Sequence, residues 1–128
     1  MLEVMILPVQ YEAVEQYKEE AEKDGVIFGK NLYWFMIYKV TGPILNEVCG
    51  FGALSHKKRY SIHKCDYIFP KYRGKGLHTK LTIFKNDLCK DKEWIEANCT
   101  PAAVKTHLNQ GAVIDHKYKN GITKIKYI

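Results

Sequence analysis

The chain carries Phe69-Pro70-Lys71-Tyr72-Arg73-Gly74-Lys75-Gly76-Leu77-His78, which joins a strand-like run to a helix-like run. Two glycines two positions apart allow a tight turn in which successive N–H groups point at one anion. The helix predicted from about Leu77 to Lys90 directs the positive end of its dipole at the same place. The side chains of Lys71, Arg73 and Lys75 add positive charge. The stretch therefore predicts a phosphate-binding loop.

Length and composition predict one globular domain that spans residues 1–128. Hydrophobic residues make up 46% of the chain and charged residues 27%, which is typical of a folded globule. No apolar run approaches the ~20 residues of a membrane span. The first residues lack the basic region and cleavage site of a signal peptide, so we expect a cytoplasmic protein without a membrane partner.

The cysteines and histidines predict no metal centre. The four cysteines are widely spaced and form no C-x-x-C pair, which argues against a zinc ribbon or a redox dithiol. The five histidines show no H-x-x-x-H spacing. We expect reduced thiols, most of them buried, as is usual in a reducing compartment.

The positive charge is concentrated in the middle of the sequence. Residues 1–55 contain 4 basic and 8 acidic side chains, residues 56–90 contain 10 and 2, and residues 91–128 contain 6 and 4. Since the basic block surrounds the glycine loop, its positive potential would attract a polyanionic ligand.

Hydrophobic periodicity and turn signals predict alternating strands and helices in the order β-α-β-β-β-α-β-α-β-β. The predicted strands are Glu3–Val9, Leu32–Val40, Glu47–Ser55, Tyr60–Phe69, Glu93–Cys99, Ala112–Tyr118 and Ile122–Tyr127. The predicted helices are Tyr11–Asp24, Leu77–Lys90 and Pro101 to about Asn109. Leu77, Leu81, Phe84 and Leu88 form the expected buried stripe of the second helix. The order predicts an α/β domain with one mixed sheet of about seven strands.

The place of the loop excludes two common phosphate-binding motifs. A Walker loop requires G-x-x-x-x-G-K-[ST], which is absent. A dinucleotide-binding fold requires G-x-G-x-x-G after its first strand, but this loop follows the fourth strand and has Thr79 at the third glycine position.

Tyr72-Arg73-Gly74-Lys75-Gly76-Leu77 resembles the acyl-CoA-binding motif of the GNAT (GCN5-related N-acetyltransferase) superfamily, [QR]-x-x-G-x-[GA], between the fourth strand and the third helix. Family members often carry a second motif, N-x-x-A-x-x-x-Y-x-x-x-G-F, after the fifth strand. Ala103 and Gly111 match it in spacing. The order of elements fits the family over nearly the whole chain, with one early helix where the family commonly has two. The resemblance implies the single-domain acyl-CoA N-acyltransferase fold, with a mostly antiparallel sheet.

The resemblance also implies a reaction and a binding site. It implies that acetyl-CoA donates an acetyl group to an amine of a small molecule or protein, which attacks the thioester directly. Backbone groups of Asp66 and Ile68 would bind the thioester and the pantetheine arm, and amides from Arg73 to His78 would bind the pyrophosphate. The implied cofactor-binding residues are Asp66, Ile68, Lys71, Arg73, Gly74, Lys75, Gly76, Leu77 and His78.

Two residues are candidate bases under the same resemblance. The family often has a Glu base on the fourth strand, at a position that falls on His63, which could take the amine proton directly or through water. A packing role between strands is the alternative for His63, and Asp66 is a second candidate base. Because strand neighbours alternate faces, His63 and Asp66 share a face only if a β-bulge lies between them.

The sequence departs from the second motif at Thr100, His107 and Ala112, and from the first at Lys71. His107 occupies the position of the Tyr that in many members protonates the leaving thiolate. An imidazolium could replace that acid, since an ordinary His titrates near neutral pH. The alternative is a half-exposed polar residue on the last helix.

The basic tip Lys57-Lys58-Arg59 is not explained by CoA binding, because the fourth strand places it roughly 30 Å from the glycine loop. It is either a solvated turn or a contact for nucleic acid or an acidic protein surface. Two alternative functions therefore stay open beside acyl transfer. One is a GNAT-fold enzyme that modifies nucleic-acid bases, as in phage DNA modification, and the other is a CoA-binding domain without turnover. The hydrophobic last strand leaves a homodimer possible.

Overall fold

The computed structural model describes residues 2–128, except for the side chains of residues 44–46. Its strands are β1 Val4–Val9, β2 Tyr33–Thr41, β3 Ile44–His56, β4 Tyr60–Ile68, β5 Trp94–Cys99, β6 Val113–Lys117 and β7 Thr123–Tyr127. Its α-helices are α1 Tyr11–Glu15, α2 Lys18–Lys23, α3 Leu77–Asp87 and α4 Pro101–Asn109, and one 3-10 turn covers Pro70–Tyr72.

The seven strands form a single sheet in the order β1-β2-β3-β4-β5-β7-β6. All neighbouring strands are antiparallel except β4 and β5, which are parallel and connected through α3. This arrangement confirms the predicted fold class and number of strands. The early helix is the main difference, because two short helices replace the single one that the sequence predicted. Tyr17 leaves helical geometry between them, and its ring packs edge-on against Phe69 with centroids 5.0 Å apart.

Both faces of the sheet are covered, which explains why β2 is almost continuously apolar. Trp34 and Met36 face one side, where they pack with residues of α1 and α2. Phe35 and Ile37 face the other side and join the clusters beneath α3. Because successive side chains of β2 point to opposite faces of the sheet, this one strand contributes to the hydrophobic cores on both sides.

A β-bulge interrupts β4 before its end. Phe51 pairs with Tyr67 and Ala53 with Lys64, so two steps along β3 match three steps along β4. Cys65 has a φ of 56°, a left-handed conformation that is uncommon for a residue with a side chain. The bulge turns His63 and Asp66 to the same face, where each contacts a residue of α3. The condition for a shared face is therefore met.

The parallel strands β4 and β5 pair over only part of their length. The ladder joins Tyr60–His63 to Trp94–Ala97, whereas β4 continues to Ile68 and β5 to Cys99. The strands therefore separate near the bulge. The gap between them opens at the end of the sheet where the glycine loop and α3 begin.

β3 ends one residue later than predicted, at His56, which pairs with Ser61, so the turn before β4 consists of Lys57, Lys58 and Arg59. Within residues 2–128, no helix is long and apolar enough to cross a membrane.

Candidate functional site

The glycine loop has the backbone geometry that its sequence predicts. Gly74 and Gly76 have φ angles of 77° and 78°, in the left-handed region that only glycine occupies freely. A Cβ built on either glycine would meet no atom within 4 Å, so the surface of the loop is open. Gly76 is the N-cap of α3, and the eleven-residue helix begins at Leu77. Free backbone N–H groups of the first turn therefore face the space above the loop.

A cleft of about 230 Å³ lies above this loop, between α3 and α4. It is lined by Ile68, Tyr72, Arg73, Gly74, Gly76, Leu77, His78, Thr79 and Thr106. Ile68 is the last residue of β4, and Thr106 belongs to α4. The cleft thus extends from the loop to the end of β4, the part of that strand that does not pair with β5.

Two cations that the sequence assigned to the loop have acidic partners elsewhere. The Arg73 guanidinium donates to the Ile68 carbonyl at 2.8 Å and to Asp24 Oδ2 at 3.2 Å. Lys71 Nζ lies 3.7 Å from a carboxylate oxygen of Glu47. Both side chains are still about half exposed or more, and Arg73 also lines the cleft, so their contact with a phosphate stays a prediction. Backbone amides, the α3 dipole and the exposed Lys75 add to the positive potential of the loop.

A buried ion pair lies below the cleft, between β4 and α3. Lys85 Nζ donates to Asp66 Oδ1 and, at 3.0 Å, to the carbonyl oxygen of Ala53. The side chain of Lys85 is fully buried and that of Asp66 is 14% exposed. Burial alone would raise the pKa of Asp66, but the ammonium of Lys85 and the hydrogen bond from His78 hold it well below its usual range. Asp66 is therefore a fixed carboxylate, which makes it a poor proton acceptor and argues against its predicted role as a base.

Space for this carboxylate depends on Gly52 of β3. A Cβ at position 52 would collide with the Asp66 carboxyl group and would approach Leu81 Cδ2 to 2.8 Å. The absence of a side chain at Gly52 thus lets Asp66 reach Lys85 beneath α3.

His63 lies deeper than the cleft. It is 6% exposed, and its Nε2 lies 2.7 Å from Asn86 Oδ1, which can only accept, so His63 donates there. Its Nδ1 has no hydrogen-bond partner among the described residues. Burial, reinforced by the charge of Lys85, lowers the pKa of His63 to about 3. These features favour the packing alternative over the predicted role as a base.

His107 is also buried, with an exposed fraction of 2%, and its Nδ1 lies 2.6 Å from the hydroxyl of Tyr127. Burial, reinforced by His78, lowers the pKa of His107 to about 4. The ring is therefore neutral at physiological pH. It does not carry the imidazolium proton that an acid at this position requires, nor is it half exposed as the alternative assumed.

Lys85, Asn86 and Tyr127 belong to this polar cluster, although the sequence did not single them out. Lys85 follows Leu77 and Leu81 at intervals of four residues, so the helical period itself points it at the sheet. Leu88, predicted to be buried, is instead 46% exposed. Reading the stripe by spacing rather than by hydrophobicity would have revealed Lys85.

At the other end of β4, the basic tip is partly neutralised. Arg59 forms two hydrogen bonds with Glu93, at 2.6 and 2.9 Å. Trp94 is stacked on Tyr60, with ring centroids 4.8 Å apart, and Lys126 Nζ lies 4.4 Å from its ring. Lys57 and Lys58 are exposed.

The structure resembles solved N-acetyltransferases over almost its whole length. Naa50 from Arabidopsis thaliana, in complex with the bisubstrate analogue CoA-Ac-MVNAL, superposes with a TM-score of 0.79 at 14% identity, covering 98% of each chain. The dodecameric spermidine N-acetyltransferase of Vibrio cholerae gives a TM-score of 0.77 at 12% identity, covering 98% of this chain and 93% of that one. This is the GNAT fold. The GNAT-fold N-acetylglutamate synthase of Neisseria gonorrhoeae, complexed with coenzyme A and L-arginine, has a TM-score of 0.74 at 9% identity.

The match covers 99% of this chain but only 33% of the synthase, so the chain corresponds to about a third of that protein. Comparison of the sequence alone matched no protein-family model and no curated protein. The likeness to the GNAT fold is thus carried by structure, at 9–14% identity in these three comparisons.

Proposed function

We propose that the protein is an acyl-CoA-dependent N-acyltransferase that transfers acetyl from acetyl-CoA to an amine acceptor. The observation that carries this proposal is the cleft above Gly74 and Gly76, which reaches the end of β4 at Ile68, beyond the residues that pair with β5. A pyrophosphate at the loop would receive hydrogen bonds from the amides of residues 73–78. An extended pantetheine arm could then follow the part of β4 that does not pair with β5 and bring the thioester to the bulge.

The chemistry of the cleft is consistent with this donor. Its loop offers backbone N–H groups, whose binding to phosphate needs no side-chain charge, so the ion pairs of Arg73 and Lys71 do not remove the site. Two of the solved neighbours hold CoA or a CoA-containing analogue, which supports the same donor here. A β4 amide released from pairing beyond His63 would polarise the thioester carbonyl for attack.

The acceptor is proposed only as a class of molecule, whereas the donor is proposed as acetyl-CoA. The solved neighbours include a spermidine N-acetyltransferase, an N-acetylglutamate synthase, and Naa50 bound to the bisubstrate analogue CoA-Ac-MVNAL. We take an amine of a small molecule or a protein as the acceptor. Base modification of nucleic acid remains an alternative, and it would use the exposed Lys57 and Lys58.

The proposal is tested by incubating the protein with acetyl-CoA and following free thiol across polyamine, amino-acid, peptide and DNA acceptors. Acceptor-dependent thiol release with an amine supports it, and release that requires DNA would favour the base-modifying alternative. Stabilisation by CoA without thiol release on any acceptor would favour a binding domain. If CoA does not stabilise the protein and no acceptor causes thiol release, the proposal is refuted.

A pair of glycine substitutions provides a matched control for the loop. Gly74→Ala and Gly111→Ala both place a side chain at a left-handed φ, 77° and 96°, and neither Cβ meets an atom within 4 Å. Their costs in stability should therefore be similar, about 1 kcal/mol. Only Gly74→Ala should raise the Kd for CoA, because Gly111 lies beyond the far end of α4. If both variants changed the Kd for CoA equally, the glycine loop would not be the CoA-binding site.

A further inference from the structure

Three histidines from three different elements converge at the inner end of the cleft. They are His63 on β4, His78 on α3 and His107 on α4. The ring centroid of His107 lies 5.3 Å from that of His63 and 5.6 Å from that of His78. Only His78 lines the cleft, with its side chain 25% exposed. A group bound in the cleft can therefore reach His78 without displacing the core.

His78 is directed by a carboxylate that is itself fixed. Its Nε2 lies 3.4 Å from Asp66 Oδ2, while the other oxygen of Asp66 is held by Lys85. Because Lys85 also donates to the Ala53 carbonyl, the ammonium is anchored to the sheet. The buried pair of Asp66 and Lys85 cannot move without unpacking α3, and its carboxylate therefore holds the His78 ring in one orientation. An exposed histidine that only neutralised phosphate would need no such support.

We propose that His78, oriented by Asp66, donates the proton that the departing CoA thiolate takes up. The inference rests on the proposed acyl transfer, and it gives the acid role to α3 rather than to the α4 position that the family resemblance indicated. Asp66 and Lys85 are positioning residues in this scheme, and His107 packs against the donor.

The proton balance of the step is complete. The amine nitrogen attacks the thioester carbonyl carbon, which forms a C–N bond and a tetrahedral oxyanion. Collapse of this intermediate breaks the C–S bond, and the sulfur leaves with the electron pair. The His78 imidazolium gives its proton to that sulfur, the new amide nitrogen loses one proton to water, and water reprotonates His78. The products are the N-acetylated amine and CoA thiol.

The ionisable groups near His78 come from β4, α3, α4 and the glycine loop. Asp66 of β4 and His107 of α4 contact it, Lys85 of α3 pairs with Asp66, His63 and Tyr127 lie behind His107, and Arg73 lines the same cleft. Burial lowers the pKa values of His63 and His107 to about 3 and about 4, so both are neutral at pH 7. Asp66 is then the anion in direct reach of His78, with Oδ2 3.4 Å from its Nε2.

His78→Gln tests the role, because glutamine still donates hydrogen bonds to phosphate but cannot transfer a proton. We expect kcat with the best amine acceptor to fall by about 10²–10⁴-fold, the usual contribution of an acid or base, with little change in the KM for acetyl-CoA. The alkaline limb of the wild-type kcat profile should disappear in the variant. His116→Gln, the same change at an exposed position on β6, is the control and should match the wild type.

A second measurement does not depend on turnover. Ultraviolet absorbance of the thiolate reports the pKa of the CoA thiol bound to the protein, and an adjacent imidazolium should lower it. His78→Gln should raise that pKa towards its value in free CoA, whereas His116→Gln should not.

The outcomes separate the two proposals. If the wild type turns over no amine but the thiol titration responds to His78→Gln, the proposed function fails and the placement of His78 stands. If kcat is unchanged and only KM rises, His78 binds phosphate and the inference is overturned. The same conclusion follows if the bound thiol titrates identically in His78→Gln and the wild type.

Discussion

Replacing Lys85 with Met should destabilise the protein far more than any ordinary lysine substitution. Methionine approximates the length of the lysine stem, so the packing beneath α3 is largely kept while the ammonium is removed. Asp66 then remains as an uncompensated carboxylate that is nearly inaccessible, and the Ala53 carbonyl loses its donor. The effect should therefore be electrostatic rather than a loss of volume.

The expected loss follows from the burial of the pair. Removing one partner of a buried ion pair typically costs about 3–5 kcal/mol. A domain of this size has a total free energy of unfolding of about 5–15 kcal/mol, so the loss is a large fraction of it. With a urea m-value of about 2 kcal/mol per molar, the unfolding midpoint should fall by about 2 M.

The pH dependence of this loss has a definite sign. In the wild type the pKa of Asp66 is lowered in the folded state, so its contribution to stability is present above its unfolded pKa of about 4 and is lost as pH falls further. Without Lys85, burial raises that pKa instead. The variant then pays for an ionised Asp66 at pH 7 and is relieved as the carboxyl protonates in acid. The difference between the two proteins should thus shrink from pH 7 towards pH 4.

The assay is urea unfolding followed by circular dichroism at pH 7 and at intervals down to pH 4. Lys80→Met is the matched control, because Lys80 is exposed on the same helix and its loss should stay within about 0.5 kcal/mol. The double variant Asp66→Asn with Lys85→Met should recover much of the stability, since no lone charge remains. A Lys85→Met loss no larger than that of Lys80→Met, or one independent of pH, would refute the buried pair.

Two further changes test other parts of the structure. Gly52→Ala should cost about 1–3 kcal/mol in thermal or urea unfolding, because its Cβ would collide with Asp66 and lie 2.8 Å from Leu81 Cδ2; Gly29→Ala, whose Cβ would be 3.6 Å from Leu32 Cδ1, should be nearly neutral, and similar costs would contradict the close approach. If the tip binds nucleic acid, replacing Lys57 and Lys58 with Ala should weaken DNA binding and flatten its salt dependence, while Arg59→Ala should have a smaller effect because Glu93 already pairs with Arg59. Unchanged binding in the double variant would leave the tip as a solvated turn.

The sequence predicted the fold through features that are local. Gly74 and Gly76 required a left-handed backbone wherever the loop lay, and the periodicity of the flanking runs defined a strand before it and a helix after it. The alternation within β2 likewise depends only on neighbouring residues. Such signals survive without knowledge of the tertiary structure, which is why the order of strands and helices and the place of the loop were predictable.

The chemistry of the site depends on long-range contacts that no local pattern contains. The hydrogen bond from Arg73 to Asp24, 49 residues away in sequence, has no local signal. The bulge at Cys65 decides which side chains of β4 face α3, and its residues carry no distinctive turn signal. The neutrality of His107 follows from its burial, although its residue type suggested an acid. These roles could be weighed only once the partners were known.

Titration of the isotopically labelled protein with acetyl-CoA, followed through its backbone amide resonances, tests whether the loop before α3 holds the diphosphate of an acyl-CoA. We expect saturable shifts concentrated in residues 73–78 and at Thr106 across the cleft, with residues 57–60 at the opposite end of β4 unaffected. Shifts confined to the tip, or none at concentrations of acetyl-CoA that saturate turnover, would contradict it.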